Sequence, residues 1–413
     1  MTTAETARDD ESKEFWLAVG VSLFAGLVFY FSTKATQQHF DYTGRIALAF
    51  IHGHLGLRSS PLSWLNEMVP LDGNYYSVFP LGAVLSVLPV ALLQQAGIVQ
   101  NFPGHALAAL IAGLCVYFFF RLSSIGGKAI GRRVVLALFP IFGTWTWCNL
   151  GFGGVWQLAL GFALLGEAAA LYFALIRPRP FLAGAFFALA YGNRTELLLT
   201  LPVYACLLWP RHASGNTAGL DNTKQGFQKN ARLFVRFLIV PVTLALLTAA
   251  YNFARFHSIF DFGYARIPKV LEEPWYQHGF FSLHAIPWNL HKMLFEGFGD
   301  FPGFPYLRPY PFGCSIFLSS PFLFLLFREG GRYKLASWTA IGLLAFALLC
   351  HGNPGGWQFS YRYAIILLPW MFLLLAGNGP VKTSAIEVSL FIVSVAINAI
   401  ATYEFLWTNQ IQP

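Results

Sequence analysis

The chain has 413 residues, of which 56% are hydrophobic and only 11% charged. Ordinary globular domains carry about a quarter charged residues, so this composition excludes a cytosolic enzyme of the usual kind. Lys and Arg number 27 against 19 Asp and Glu, a net charge of +8. The basic residues sit in short loops between apolar runs, so they read as topology signals and contacts to anionic lipid rather than as a nucleic-acid surface. Cys115, Cys148, Cys206, Cys314 and Cys350 are scattered without a C-x-x-C pair, which gives neither a disulfide framework nor a zinc site.

Residues 1–13 are polar and mixed in charge, and read as an inner tail. The apolar run 15–31 has no small-residue cleavage site behind it and reads as an uncleaved signal anchor. Further apolar runs follow at 104–121, 134–150, 155–176, 181–191, 197–209, 233–251, 315–327, 335–350, 363–376 and 386–406. Basic clusters at Arg121/Lys128/Arg132/Arg133, Arg177/Arg179, Arg211/Lys224/Lys229/Arg232/Arg236 and Arg328/Arg332/Lys334, with Lys382 alone, all fall inside when the N-terminus is inside. Parity then holds for about eleven crossings, provided that 79–95, short and broken by Pro80 and Pro89, is a re-entrant or interfacial helix. The expected fold is all-α: one polytopic transmembrane helical bundle over 14–413, with no internal repeat. Two large outward loops, near 34–78 and 252–313, hold most of the polar chemistry. The aromatic residues of the second, Trp275, Trp288, Phe298, Phe301 and Tyr306, suit burial in lipid headgroups, with a lid over a site as the other reading.

Asp41 lies ten residues past the first apolar run, ahead of an apolar-faced helix that includes Arg45. It reads either as the N-cap of that helix, a role open to Thr43 as well, or as a carboxylate held at the membrane surface as a general base. His52-Gly53-His54 places two imidazoles at i, i+2, which share no helical face, so interfacial residues fit better than metal ligands. Asp72-Gly73-Asn74 is a turn signal, and Tyr75-Tyr76-Ser77-Val78-Phe79-Pro80-Leu81-Gly82 continues it into the next apolar run. Arg194 and Glu196 stand inside an apolar region, where ionisable residues are commonly functional; residues two apart share no helical face, which argues against a simple pair. Arg362, between Tyr361 and Tyr363, could simply anchor a helix end in the aromatic belt.

Taken in order, these pieces resemble the C-type family of integral-membrane glycosyltransferases (GT-C), which includes the protein O-mannosyltransferases and the lipid A aminoarabinose transferases. The resemblance rests on Asp41 after the first span and on Gly73 to Ser77 entering Pro80 and Gly82. It continues with Arg194-Thr195-Glu196-Leu197, with Tyr251-Asn252-Phe253-Ala254-Arg255-Phe256 running on to Gly263-Tyr264, and with Ser360-Tyr361-Arg362-Tyr363 ahead of Pro369. Departures are Tyr42, where many relatives have a second acid, Val78 in place of Lys, and His257 in place of Gly. They leave the subfamily and the sugar open.

The resemblance implies a donor sugar on a polyprenyl phosphate and a lipid, glycan or protein acceptor, with the site facing outward. A bacterial inner membrane is the expected location. It further implies Asp41 as catalytic base, and Arg45, Asp72, Tyr75, Tyr76, Arg194, Glu196, Arg255, Tyr361 and Arg362 as substrate-binding residues. No cofactor is demanded; Asp41 and Asp72 are the carboxylates to which a divalent cation would bind, as in some relatives. A lipid or sugar transporter or flippase is the rival reading. Charges gathered at one membrane edge and the lack of repeated halves favour surface chemistry.

Overall fold

Apolar runs of this length have to satisfy their own backbone hydrogen bonds, and the chain does so almost entirely as helix. The computed structural model describes residues 3–34, 40–61, 67–209, 220–303, 306–408 and 410–411. In chain order, α1 (Thr3–Ser32) and α2 (Tyr42–Ile51) precede a hairpin of β1 (Met68–Leu71) and β2 (Asn74–Ser77). Then come α3 (Leu81–Gln95), α4 (Gly104–Leu122), α5 (Ile130–Phe142), α6 (Thr146–Gly151), α7 (Val155–Leu175), α8 (Pro180–Asn193), α9 (Leu201–Leu208) and α10 (Leu220–Phe256). The second large loop holds α11 (Ile286–Leu294) and the short pair β3 (Gly299–Asp300) and β4 (Leu307–Arg308). The chain closes with α12 (Ile316–Ser319), α13 (Lys334–Cys350), α14 (Leu368–Gly377) and α15 (Ala385–Trp407).

Among the described residues, five helical stretches are long and apolar enough to cross a membrane: Glu11–Ser32, Gly104–Gly126, Val155–Leu175, Asn230–Phe256 and Ala385–Trp407. The other expected spans are short or interrupted helices. Residues 134–150 divide into α5 and α6. The runs 197–209, 315–327 and 363–376 each contain a 3-10 stretch, at Thr195–Thr200, Pro321–Phe327 and Arg362–Leu367. Pro202 and Pro369 stand in the first turn of α9 and α14, where a missing N–H is tolerated but an unbroken ladder is not possible. The run 79–95 forms α3, whose 15 residues contain Pro89 and reach only about 22 Å, short of a full crossing.

α7, apolar but for Gln157 and Glu167, is the buried centre, packed by α4, α8, α6, α9 and α14. Leu23 and Phe24 of α1 and Leu246 of α10 are exposed and face outward from the bundle. Small residues set the closest approaches: a Cβ at Gly82 would overlap the Gly192 backbone, so α3 and α8 touch there.

The two ends of the bundle differ in charge. Residues 3–13, expected as a tail, continue α1 as helix, and Glu11 and Glu14 pair with Arg177 and Arg133. At this same end Arg132 and Arg328 share the buried Glu387 at 2.9 and 2.7 Å, and Lys128 donates to the Gly379 carbonyl. Arg211 and the side chains of Lys224 and Lys229 lie outside the described residues. The opposite end gathers the last turn of α1, where Trp407 Nε1 donates to the Ser32 carbonyl and Thr33 is hydrogen-bonded to His105. It also holds the starts of α2, α4 and α7, joined by Val155 N–H to the Phe40 carbonyl at 2.9 Å.

Glu387→Ala strands Arg132 in a buried site and should cost about 3–5 kcal/mol, read as a lower unfolding midpoint in detergent. Gly82→Ala should also destabilise, by about 1–3 kcal/mol, through the α3–α8 contact. A midpoint unchanged in either variant would refute the corresponding packing role.

Candidate active site

Asp41 occupies the N-cap position of α2, but its backbone (φ −110°, ψ 33°) is not extended and its side chain accepts no cap hydrogen bond. The carboxylate turns along the helix instead and accepts from Arg45 Nε at 2.8 Å. It lines a cavity of about 250 Å³ with Tyr30, Phe102, His105 and Phe152. The His105 ring stacks on Tyr30 at 4.6 Å between centroids. His52 is exposed, and the His54 ring lies 3.4 Å from Arg58 NH2.

On either side of Asp41 in sequence, Phe40 and Tyr42 pack against Trp156 of α7, each at 5.2 Å between centroids. Trp156 Nε1 donates to Glu67 Oε2 at 2.7 Å. Glu67 precedes the hairpin, whose turn residues Asp72 and Gly73 both take positive φ (49° and 75°), the pattern of a two-residue type I′ turn. That places Asp72 at an exposed tip, away from the Asp41 cavity lining. Tyr75 pairs its backbone with Leu57, and Tyr76 packs edge-on against Phe256. Arg255 ties the hairpin to α10: it donates to the Ser77 carbonyl (2.6 Å), Asn252 Oδ1 (2.7 Å) and the Tyr251 carbonyl (3.3 Å), over the Tyr251 ring. All three guanidinium nitrogens of this buried arginine are engaged by the chain itself.

The other two arginines meet at one ring. Arg194 and Arg362 lie 4.8 and 5.2 Å from the Tyr363 centroid, which puts the two guanidinium groups within about 10 Å of each other. Arg194 leaves α8 in extended conformation (φ −137°, ψ 95°), and that break lets its Nε and NH2 both reach Glu196 Oε1, at 2.9 and 2.7 Å. The helical-spacing argument against this pair therefore fails, because the two residues do not share a helix. Arg362 is buried, and among the described residues its Nε has no hydrogen-bond acceptor. Tyr361 is buried behind it, with its hydroxyl 3.4 Å from the Leu348 carbonyl.

Residues that sequence reasoning passed over complete this wall. His351, 5.8 Å from Tyr363, bonds the Asn353 carbonyl; burial holds its imidazole below the ordinary value and therefore neutral at pH 7. Tyr276 packs against His351 and against Tyr264. Glu67 feels the Arg362 charge and is the acid that joins this wall to Trp156 and the Asp41 segment. Burial pushes its carboxyl up to about 7, against the pull of the Trp156 hydrogen bond and of Arg362, and with a further push from Glu273. No spacing or periodicity marks Glu67; a lone acid in an aromatic loop is the whole signal. Among the described residues no group of three or more His, Cys, Asp or Glu side chains gathers as a metal site would require.

No family model and no curated protein matches the chain. Among solved structures it is similar to the oligosaccharyltransferase of Archaeoglobus fulgidus in the apo form, at 13% identity and a TM-score of 0.44. The match covers 94% of this chain and 56% of that one, so the chain spans little more than half the length of its neighbour.

Because the folded-state value of Glu67 lies above the ordinary 4.5, folding favours its protonated form. The stability this gives is complete below 4.5 and is lost as pH rises through about 7. Glu67→Gln keeps an acceptor for Trp156 and should flatten the fall of the unfolding midpoint across that window. An equal fall in variant and wild type would assign the dependence elsewhere.

Proposed function

We propose that the chain is a membrane-embedded glycosyltransferase that moves a sugar from a polyprenyl-phosphate donor to an acceptor hydroxyl. The observation that carries this reading is the meeting of Arg194 and Arg362 at Tyr363, with a buried guanidinium Nε that has no acceptor among the described residues, at the same end of the bundle as Asp41. A leaving prenyl phosphate gathers negative charge as its bond to the anomeric carbon breaks. Fixed guanidinium donors stabilise that charge without reorganising.

In this reading Asp41 accepts the proton of the acceptor hydroxyl as its oxygen attacks the anomeric carbon, and Arg45 holds the carboxylate in place. The phosphate departs with the bonding electron pair toward Arg362, while Glu196 fixes the direction of Arg194. Trp156 and Tyr363 offer flat faces to the sugar ring, and Glu67 accepts from its hydroxyls. The hairpin with Asp72, Tyr75 and Tyr76 forms the rim, held by Arg255, and Tyr361 supports the Arg362 segment. The acceptor is a lipid, a glycan or a protein, and the site faces the periplasm of a bacterial inner membrane.

Purified protein in vesicles, given prenyl-phosphate sugars and acceptor extracts, should release prenyl phosphate detectable by mass spectrometry. Asp41→Asn should lower the rate by about 100-fold or more. Arg362→Lys keeps the charge but loses the planar fork, and should weaken donor use about tenfold. Wild-type rates in Asp41→Asn would remove Asp41 as the base. Lipid moved across the bilayer with no glycosidic product would overturn the transferase reading in favour of a flippase.

A further inference from the structure

Among the described residues, Glu387 and Glu404 are buried acids with arginine partners, whereas Glu167 is a buried acid that neither the site nor a salt bridge uses. Glu167 is fully buried on α7, twelve residues below Val155 and so about 18 Å from that end of the helix. Its carboxyl faces the Tyr204 hydroxyl of α9 and the Trp370 indole N–H of α14. Tyr204 and Trp370 themselves meet edge-on at 5.7 Å. Both carboxyl oxygens, the Tyr204 hydroxyl and Trp370 Nε1 lack any partner of normal hydrogen-bond geometry among the described residues. Around them are the rings of Phe187 and Phe237, which offer no polar atom. Three polar groups are thus pooled in an apolar interior with only one another to satisfy them.

The two aromatic residues belong to segments built alike. Arg194 precedes the 3-10 stretch Thr195–Thr200, then Leu201-Pro202 opens α9 and Tyr204 follows. Arg362 begins the 3-10 stretch Arg362–Leu367, then Leu368-Pro369 opens α14 and Trp370 follows. At about 2.0 Å per residue, each 3-10 stretch spans about 12 Å. With the three or four helical residues that follow at about 1.5 Å each, each arginine stands about 15–18 Å from the aromatic residue that rests on Glu167, close to the depth of Glu167 below the start of α7. 3-10 stretches have poorer hydrogen-bond geometry than α-helix, and these two have no ladder continuous with α8 or α13 to hold their height.

We propose that Glu167 is a positioning residue, the common footing that holds the two interrupted segments in register so that Arg194 and Arg362 meet at Tyr363. The inference takes from the proposed function only the use of those two arginines; the register itself can be read without any activity.

Spin labels on Thr195→Cys and Gly356→Cys, with Cys206→Ser, report the separation of the two heads. Thr195 is exposed, and a Cβ at Gly356 meets nothing within 4 Å. Glu167→Leu should broaden that separation and lower kcat/KM for the prenyl-phosphate sugar about tenfold or more, while Glu167→Gln, which still accepts from both partners, should retain a narrow distribution and stay within about threefold of wild type. Should Glu167→Leu fail to fold, the double variant Tyr204→Phe/Trp370→Phe removes both donors, keeps aromatic rings and should broaden the separation in the same way. An unchanged separation in Glu167→Leu or in the double variant would overturn the proposal, as would a Gln variant as disordered as Leu. A wild-type protein without transferase activity, whose label separation still responds to Glu167, would overturn the proposed function and leave the footing intact.

Discussion

Hydrocarbon cannot solvate an ion, and the ion pairs described in this fold gather toward the two ends of the bundle. That constraint sorts the molecule. One end collects Arg132, Arg133, Arg177 and Arg328 with their glutamates, and the buried Glu387 shared by two arginines joins α5, the segment ahead of α13, and α15. The other end collects Asp41, Glu67, Arg194, Arg255 and Arg362. Two walls of a site arise there, one from the segment after α1 and one from the heads of the interrupted helices. Trp156 of the central helix stands between them, touching the Asp41 segment on its ring and Glu67 at its nitrogen.

The three arginines of this second end illustrate how differently one residue type is used. Arg255 donates to three acceptors of its own chain and joins a hairpin to a helix end. Arg194 is committed to Glu196, which orients it without neutralising the neighbouring arginine. Arg362 keeps a buried nitrogen without an acceptor among the described residues, as Arg121 and Arg132 do at the basic end; what sets Arg362 apart is that a second arginine, Arg194, meets it at Tyr363. In the proposed function this nitrogen is one of the donors that meet the donor's phosphate.

Much of this was legible from residue order. Long apolar runs gave the helices, and the basic clusters gave a common end. Asp41 and the polar turn at Arg194 stood out because charge is rare in such surroundings. The interruptions were less legible: apolar composition is shared by α- and 3-10 helix, so a hydrophobic run does not announce where its ladder breaks. The Arg194–Glu196 pair depends on such a break, which is why helical spacing argued against it. Glu67 and Trp156 come from loop and helix segments far apart in sequence, and their meeting is a tertiary fact. Asp41 taken alone favoured capping a helix, and its backbone angles and its bond to Arg45 are tertiary detail that residue order does not carry.

The proposed function requires anion binding at the end where Arg194 and Arg362 meet. A prenyl phosphate carrying a photoreactive group beside its phosphate, irradiated with the purified protein in nanodiscs and followed by peptide mapping, tests this directly. Labelling should concentrate on residues around Glu67, Arg194 and His351–Tyr363, and should be competed away by unmodified prenyl phosphate. Labelling confined to the basic end, around Arg121–Arg133 and Arg328–Lys334, would contradict it.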